Sequence, residues 1–204
     1  MLDIIVGITN SELAATRALP SIPSNKQWLS QYTIRNADSL YDLRKQSCFT
    51  GVSEWVTFLD QGDELFCVDR YKEAIAGAST GAVFANSIAI YPSYEVRQFP
   101  RNFTYFGKST LLSGVVPHNP LIMRRDIARD AIDSAYERIV KSDDKFKELI
   151  DLAIVFEIAL KGGWTYYPMP VYKWYNTESN THHKNPAVAL ARTEMLNFYR
   201  RFIG

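Results

Sequence analysis

The amino-acid sequence predicts a single α/β domain built on a mainly parallel central sheet and closed by a C-terminal helix. The chain has 204 residues, a length that suits one domain with its own hydrophobic core. Its first segment, Leu2–Ile8, is rich in β-branched residues and does not alternate, as is typical of a strand buried on both faces. Three transitions from strand through polar turn to helix fall within residues 1–77, which indicates parallel strands.

These three units make up the first part of the chain. The first strand ends at Thr9, Asn10 and Ser11, any of which can cap a helix that runs to about Leu19 and stops at Pro20. The remaining elements predicted for this part are strands at Gln31–Ile34 and Trp55–Leu59 and helices at Leu40–Gln46 and Leu65–Gly77.

The pattern changes after Gly77. A strand over Ala82–Tyr91 is followed by a passage at 91–109 that is rich in Pro, Arg and aromatic residues and fits a loop or a short ribbon. The later predictions are a short strand at Leu121–Met123, helices at Ile127–Ile139 and Asp144–Leu160, a strand broken by Pro168 and Pro170, and an amphipathic helix at Pro186–Phe202. We expect the last helix to pack across the sheet or at a homodimer contact.

Composition and charge disfavour several classes of protein. The net charge is +1, divided as −3 over residues 1–100 and +4 over residues 101–204, which is too mild an asymmetry for a dedicated nucleic-acid binder. Two cysteines, Cys48 and Cys67, make neither a disulfide framework nor a zinc site and fit free thiols in a reducing compartment. No apolar run approaches the roughly 18 residues of a membrane helix. We therefore expect a cytoplasmic protein without an integral membrane segment.

Two acids follow the third strand, in the stretch WVTFLDQGDEL at 55–65. Asp60 and Asp63 stand at the carboxyl end of that strand with Gly62 between them, where α/β sheets bind ligands. Carboxylate oxygens suit Mg²⁺ or Mn²⁺, and such ions commonly share their coordination with ligand phosphates. Taken alone, the four residues DQGD also fit an ordinary polar turn.

A carboxylate also interrupts the most apolar helix of the chain. Between Leu149 and Leu160 ten of twelve residues are apolar, and the exceptions are Asp151 and Glu157. An unpaired carboxylate in a buried helix is costly, so Asp151 should have either a partner or a chemical role. An ion pair, for example with Lys147, is the structural alternative.

Several of these stretches together resemble the family-two nucleotide-sugar glycosyltransferases, which are inverting enzymes with the Rossmann-like GT-A fold. SEWVTFLDQGDEL resembles the segment GEYIxFLDxDDxL, and DLAIVFEIALKGG resembles the helix DxxLxxRLxxxGG. HNPLIMRR and VYKWYNTESNTHH resemble the acceptor-side segment and the C-terminal tail. The resemblance runs from Asp3 to about His183 and implies a GT-A-like domain with a nucleotide-sugar-binding half at 1–77, an acceptor and catalytic half at 78–185, and a terminal helix at 186–204.

The resemblance also implies roles for individual residues. Asp151 stands at the position of the catalytic base. The residues implied to bind the nucleotide-sugar are Thr9, Asn10, Asn36, Asp38, Arg44 and Asp60. Those implied to hold Mn²⁺ or Mg²⁺ are Asp60, Asp63, His182 and His183, and those implied on the acceptor side are His118, Arg124 and Arg125.

The sequence departs from the family pattern at four positions. Gly62 replaces the second acid of the metal motif, so coordination would rely on Asp60 or Asp63. Asn36-Ala37 replaces the acid that recognises uracil, which leaves the donor base open although a UDP-sugar is favoured. Ile150 and Glu157 replace the usual acid and arginine of the catalytic helix.

The leading hypothesis is metal-assisted, inverting transfer of a hexose or pentose from a nucleotide-sugar to an acceptor hydroxyl. The acceptor is expected to be a soluble glycan or a hydroxymethylated base in DNA, with the basic and aromatic passage at 94–108 lining the nucleic acid. The alternative is a non-catalytic sugar-nucleotide-binding or assembly subunit, which the loss of the second metal acid at Gly62 allows.

Overall fold

The fold is described from a computed structural model that covers residues 1–93, 96–99, 111, 121–176 and 185–203, with the backbone alone at 96–99. The strands are β1 Leu2–Ile8, β2 Leu29–Arg35, β3 Trp55–Asp60, β4 Glu64–Leu65, β5 Ala82–Ile90, β6 Val96–Phe99, β7 Leu121–Arg124 and β8 Thr165–Tyr175. The α-helices are α1 Ser11–Thr16, α2 Leu40–Phe49, α3 Asp69–Ala76, α4 Arg125–Arg138, α5 Ile150–Leu160 and α6 Pro186–Ile203. Short 3-10 helices lie at Leu19–Ser21, Val140–Ser142 and Asp144–Leu149.

One sheet runs through the domain in the order β2-β1-β3-β7-β5-β8-β4, and β6 pairs with β5. β2, β1 and β3 are parallel, as the three strand-to-helix units predict, and β5 and β8 form a second parallel pair. β7 runs antiparallel between β3 and β5. The predicted α/β class with a mainly parallel sheet and a C-terminal helix is confirmed.

Both faces of the sheet are covered by helices, which explains why β1 does not alternate. All seven residues of β1 are buried. On one face, Ile5 and Phe58 belong to a core completed by α2, α4, α5 and α6. On the other, Ile4 and Leu59 belong to a second core completed by α1 and α3. A strand buried on both sides is apolar at most positions, and its one charged residue, Asp3, pairs with Arg125.

Three predicted elements differ in the structure. β8 is continuous through Pro168 and Pro170, because its pairing with β5 shifts register at Asn86, whose amide donates to the Pro168 carbonyl at 2.6 Å. The helix predicted from Asp144 is a 3-10 helix as far as Leu149 and an α-helix only from Ile150. The helix predicted from Leu65 begins at Asp69, after the short strand β4.

The terminal helix packs on α5. The rings of Phe156 and Tyr199 stack with centroids 4.5 Å apart, and the Tyr199 hydroxyl donates to Glu157 Oε1 at 2.8 Å. A homodimer contact through this helix stays a prediction.

Two further observations concern the cysteines and the helices of the described residues. Cys48 and Cys67 are free thiols. No helix among the described residues has both the length and the apolar character needed to cross a membrane.

Candidate active-site cleft

A cleft of about 780 Å³ opens where β1, β2 and β3 end. The strand register aligns Gly7 with Asp60 and Ile8 with Arg35, so the three carboxyl ends share one edge of the sheet. Ligands of open α/β sheets bind at this edge. The charged side chains that line the cleft come from the first and last thirds of the chain: Arg17, Asp38, Arg44, Asp60, Asp63, Glu148, Asp151 and Arg192.

Gln61 joins the loop after β1 to the turn after β3. Its Oε1 accepts from the backbone N–H groups of Thr9 and Asn10 at 2.8 and 2.6 Å, and its Nε2 donates to Thr9 Oγ1 at 2.8 Å. The Asn10 side chain caps α1 by accepting from the Leu13 N–H at 3.1 Å. These bonds hold the first loop beside the acidic turn, and Gln61 is a residue that the sequence analysis missed.

Arg44 connects the two central acids of the cleft. Its Nε and Nη2 donate to Asp151 Oδ1 and Oδ2 at 2.7 and 2.8 Å, and Nη2 also donates to Asp60 Oδ1 at 2.9 Å. Asp151 therefore has a partner, and that partner is Arg44; Lys147 pairs instead with Asp144 at 2.9 Å. Asp151 also lies in the first turn of α5, where the helix dipole favours a carboxylate.

The Arg44 guanidinium is itself nearly inaccessible. Its side chain is 1% exposed, packs 4.8 Å from the centre of the Phe58 ring, and leaves Nη1 buried without a partner among the described residues. Burial lowers the pKa of Arg44, but the charges of Asp151 and Asp60 outweigh burial and raise it above the usual value. Through Nε and Nη2, Arg44 holds the two acids in place.

Asp63 is more enclosed than a solvent-facing metal ligand would be. It accepts from the Tyr172 hydroxyl at 2.7 Å and from the Tyr175 N–H at 3.0 Å, and it is 5% exposed. Burial and, after it, the charge of Asp60 raise the pKa of Asp63 to about 7. The two carboxylates repel each other within one cleft. A divalent cation bound between them would relieve this repulsion, so together they form a suitable set of oxygen donors.

The further ligands predicted for this metal cannot be placed. His182 and His183 lie outside the described residues, as does His118 on the predicted acceptor side. Among the residues that the structure describes, no three His, Cys, Asp or Glu side chains cluster in a way that would hold a metal ion. The donor set that can be described is Asp60 and Asp63, and the metal stays a proposal.

The nucleotide-binding residues predicted from the sequence are partly brought together. Thr9, Asp38, Arg44 and Asp60 line the cleft. Asn10 and Asn36 do not line it with the others, since Asn10 caps α1 and Asn36 sits just beyond β2 in a left-handed conformation with φ 59°.

The structure places Arg124 and Arg125 at the opposite edge of the sheet, away from the cleft. β7 runs antiparallel to β3 and pairs Arg124 with Trp55, the first residue of β3. Arg125 is buried there against Asp3 and donates to the backbone carbonyls of Ser53 and Thr50 at 2.9 and 2.7 Å. An acceptor-side role for these two arginines does not fit this position, because the antiparallel course of β7 reverses the edge at which they emerge.

Two further arginines of the cleft went unnoticed in the sequence. Arg17 follows α1, donates to the Gly62 carbonyl at 3.1 Å and lies 4.3 Å from the centre of the Tyr175 ring. Arg192 reaches the cleft from α6. No local pattern marks either residue, because both act across long sequence separations.

Comparison with known proteins supports the fold and leaves the function open. No family model and no curated protein sequence matches the chain. Among solved structures, S. aureus TarS 1-349 is 15% identical over 95% of this chain and 72% of that chain, with a TM-score of 0.57. A longer TarS structure is 15% identical over 96% of this chain and 40% of its own length, with a TM-score of 0.60.

A TarS structure in complex with UDP-GlcNAc matches as well, at 14% identity over 88% of this chain and 59% of that chain, with a TM-score of 0.54. TarS is a family-2 glycosyltransferase. The chain described here therefore has a GT-A-like fold, and it spans less than half the length of the longer TarS structure.

Proposed function

We propose that the protein is an inverting glycosyltransferase that uses a nucleotide-sugar donor and Asp151 as its catalytic base. One observation carries the proposal: Asp151 of α5 and Asp60 of β3, which are 91 positions apart in the chain, meet on one buried arginine at the carboxyl edge of a GT-A-like sheet. As a base, Asp151 would stand beside the end of the strand whose acids would hold the donor.

Asp151 would accept the proton of an acceptor hydroxyl. The hydroxyl oxygen then bonds to the anomeric carbon, the bond from that carbon to the diphosphate oxygen breaks on the opposite face, and the configuration inverts. Both Asp151 oxygens already accept from Arg44, but a carboxylate oxygen has two lone pairs, so each can accept once more. Arg44 orients the carboxylate for that step.

A UDP-sugar is the favoured donor, because two TarS structures that share the fold are complexes with UDP and with UDP-GlcNAc. Thr9, Asp38 and Asp60 line the part of the cleft that would take the nucleoside. Asp60 and Asp63 would hold Mn²⁺ or Mg²⁺, which when bound neutralises charge on a diphosphate. The transferred hexose or pentose goes to a soluble glycan or to a hydroxymethylated DNA base.

A non-catalytic sugar-nucleotide-binding or assembly subunit is the second candidate. The bidentate pairing of Asp151 with Arg44 favours it, because both oxygens of the carboxylate are already engaged in an ion pair. Donor hydrolysis or transfer separates the two candidates, since only the enzyme turns the donor over.

The test begins with a panel of nucleotide-sugars, with and without MnCl₂, measured by thermal shift. A ligand that binds only the folded state raises its melting temperature, so the donor should be the compound that does so. Turnover of that donor is then compared between the wild type and Asp151→Asn, in which we expect donor binding to persist and the rate to fall at least about 100-fold.

Asp144→Asn is the matched control, because Asp144 is 89% exposed and its ion pair with Lys147 lies on the surface. It should leave turnover unchanged. If Asp151→Asn retains more than a tenth of the wild-type rate, the base assignment is wrong. If no nucleotide-sugar shifts the melting temperature, the donor-binding function fails altogether.

A further inference from the structure

One positively charged side chain of the cleft comes from the terminal helix. Val188, Ala189 and Arg192 occupy neighbouring positions on one face of α6, and all three line the cleft. The Arg192 side chain is half-buried, and burial lowers its pKa below the usual value. Desolvating a guanidinium is costly unless an anion compensates it.

Arg192 is also the arginine of the cleft that has no partner among the described residues. Arg44 is committed to Asp151 and Asp60, and Arg17 to the Gly62 carbonyl and the Tyr175 ring. The described structure gives Arg192 no ion pair or hydrogen bond. Its donors therefore remain available to a bound anion.

Several contacts hold α6 in the position from which Arg192 reaches the cleft. Tyr199 stacks on Phe156 and donates to Glu157, both on the helix that carries Asp151. On the other side, Lys145 pairs with Glu194 at 2.6 Å. The terminal helix thus fixes the position of a cation relative to the proposed base.

We propose that Arg192 binds the diphosphate of the nucleotide-sugar donor and stabilises the charge that the diphosphate gains on leaving. The inference rests on the proposed function and deepens it. The cleft carries five carboxylates and three arginines, and two of the arginines are already occupied. A nucleoside diphosphate brings further negative charge, so an additional cation is needed at the phosphates. Arg192, which lines the cleft and pairs with no described carboxylate, can supply it.

The test separates the phosphates from the nucleoside. UDP, GDP, ADP, CDP and dTDP are each titrated into the protein with the corresponding nucleoside in a parallel arm, by isothermal calorimetry without metal and with MnCl₂. Arg192→Met keeps the length and the apolar stem of the side chain and removes its charge. We expect it to weaken binding of the preferred diphosphate about tenfold or more, and to leave binding of the matching nucleoside unchanged.

Arg201→Met is the control, because Arg201 lies on the same helix, is exposed and is not among the residues that line the cleft. It should match the wild type in every arm. If Arg192→Met binds the diphosphate as tightly as the wild type, the inference is overturned while the proposed function stands. If the wild type binds no diphosphate and no nucleoside, the proposed function fails and this inference fails with it.

Discussion

Two buried arginines pair with aspartates at opposite edges of the sheet, and they differ in how completely their hydrogen bonds are made. At the amino edge, Arg125 pairs with Asp3 and donates to the carbonyls of Ser53, Cys48 and Thr50. At the carboxyl edge, Arg44 pairs with Asp151 and Asp60 and leaves Nη1 without a partner among the described residues.

The aspartates differ as well. Asp3 is 0% exposed and also accepts from the N–H and the hydroxyl of Ser53 at 2.9 and 2.5 Å. The space beside it is filled, since a Cβ on Gly51 would lie 2.1 Å from Asp3 Oδ2. The side chains of Asp151 and Asp60 are 14% and 38% exposed and face the cleft. The Asp3–Arg125 pair, which is fully enclosed and hydrogen-bonded, supports the fold. The pairs that Arg44 makes with Asp151 and Asp60 face the cleft, so these aspartates can still interact with a ligand.

Arg125→Met should have the largest effect on stability. It leaves the Asp3 carboxylate buried without its countercharge, and breaking a buried pair on one side costs about 3–5 kcal/mol. Urea denaturation would measure the loss of unfolding free energy. The double variant Asp3→Asn with Arg125→Met should recover part of it, because the buried charge is gone.

Arg124→Met is the control for this change, since Arg124 is 47% exposed and pairs with Asp126 at the surface. It should cost well under about 1 kcal/mol. A loss at Arg125 as small as the loss at Arg124 would contradict the structural role assigned to the amino-edge pair.

Arg44→Met should cost less stability and more activity. Its two acids face the cleft and can regain water, so we expect a loss of about 1–2 kcal/mol, smaller than for Arg125→Met. Without Arg44, Asp151 loses its orientation, and a misplaced catalytic group costs about 100-fold in rate.

The effect of Arg44→Met should fall on kcat more than on the KM for the donor, because Arg44 holds the Asp151 carboxylate through two hydrogen bonds. Steady-state kinetics with varied donor would show the difference. An unchanged kcat with a raised KM would instead make Arg44 a direct donor ligand.

Asp63→Asn should have an effect on stability that depends on pH. The pKa of Asp63 is raised to about 7 in the folded protein, so between about pH 4 and 7 the folded state holds a proton that the unfolded state releases. Stability from this group is therefore lost as pH rises through that window. An asparagine does not titrate, so the variant does not lose this stability. Its unfolding free energy relative to that of the wild type should therefore increase by roughly 1–3 kcal/mol between pH 5 and pH 8.

Unfolding free energies at pH 5, 6, 7 and 8 would measure this gain. Asp126 is 62% exposed, so the unfolding free energy of Asp126→Asn should show the same pH dependence as that of the wild type. A constant difference between Asp63→Asn and the wild type at all four pH values would show that Asp63 does not titrate in this range.

The positions of the strands follow from local sequence to a large extent. Leu2–Ile8 is predicted and observed with the same bounds, because the apolar, largely β-branched run is interrupted only by Asp3 and ends at polar residues. Trp55–Leu59 extends by one residue to Asp60, and Leu121–Met123 by one residue to Arg124. Part of the passage at 91–109 is a ribbon, since β6 pairs with β5.

The sequence predicted less well those elements whose secondary structure depends on contacts with another part of the chain. Pro168 and Pro170 lack an N–H, but the shifted register opposite Asn86 lets β8 continue through them. The helix predicted from Asp144 tightens into a 3-10 segment whose Leu149 lines the cleft. Neither effect can be seen in the local pattern.

By itself the sequence determined the α/β class, the parallel order of the first three strands and the presence of acids at their carboxyl edge. Hydrophobic runs and capping residues act within a few positions, so they can be read locally. Only the tertiary structure decided that Asp151 pairs with Arg44 and that Gln61 joins two loops. It also decided that Arg124 and Arg125 lie away from the cleft, whereas Arg192 lines it. Each of these depends on which segments meet in space, and pairings between distant segments leave no mark on local composition.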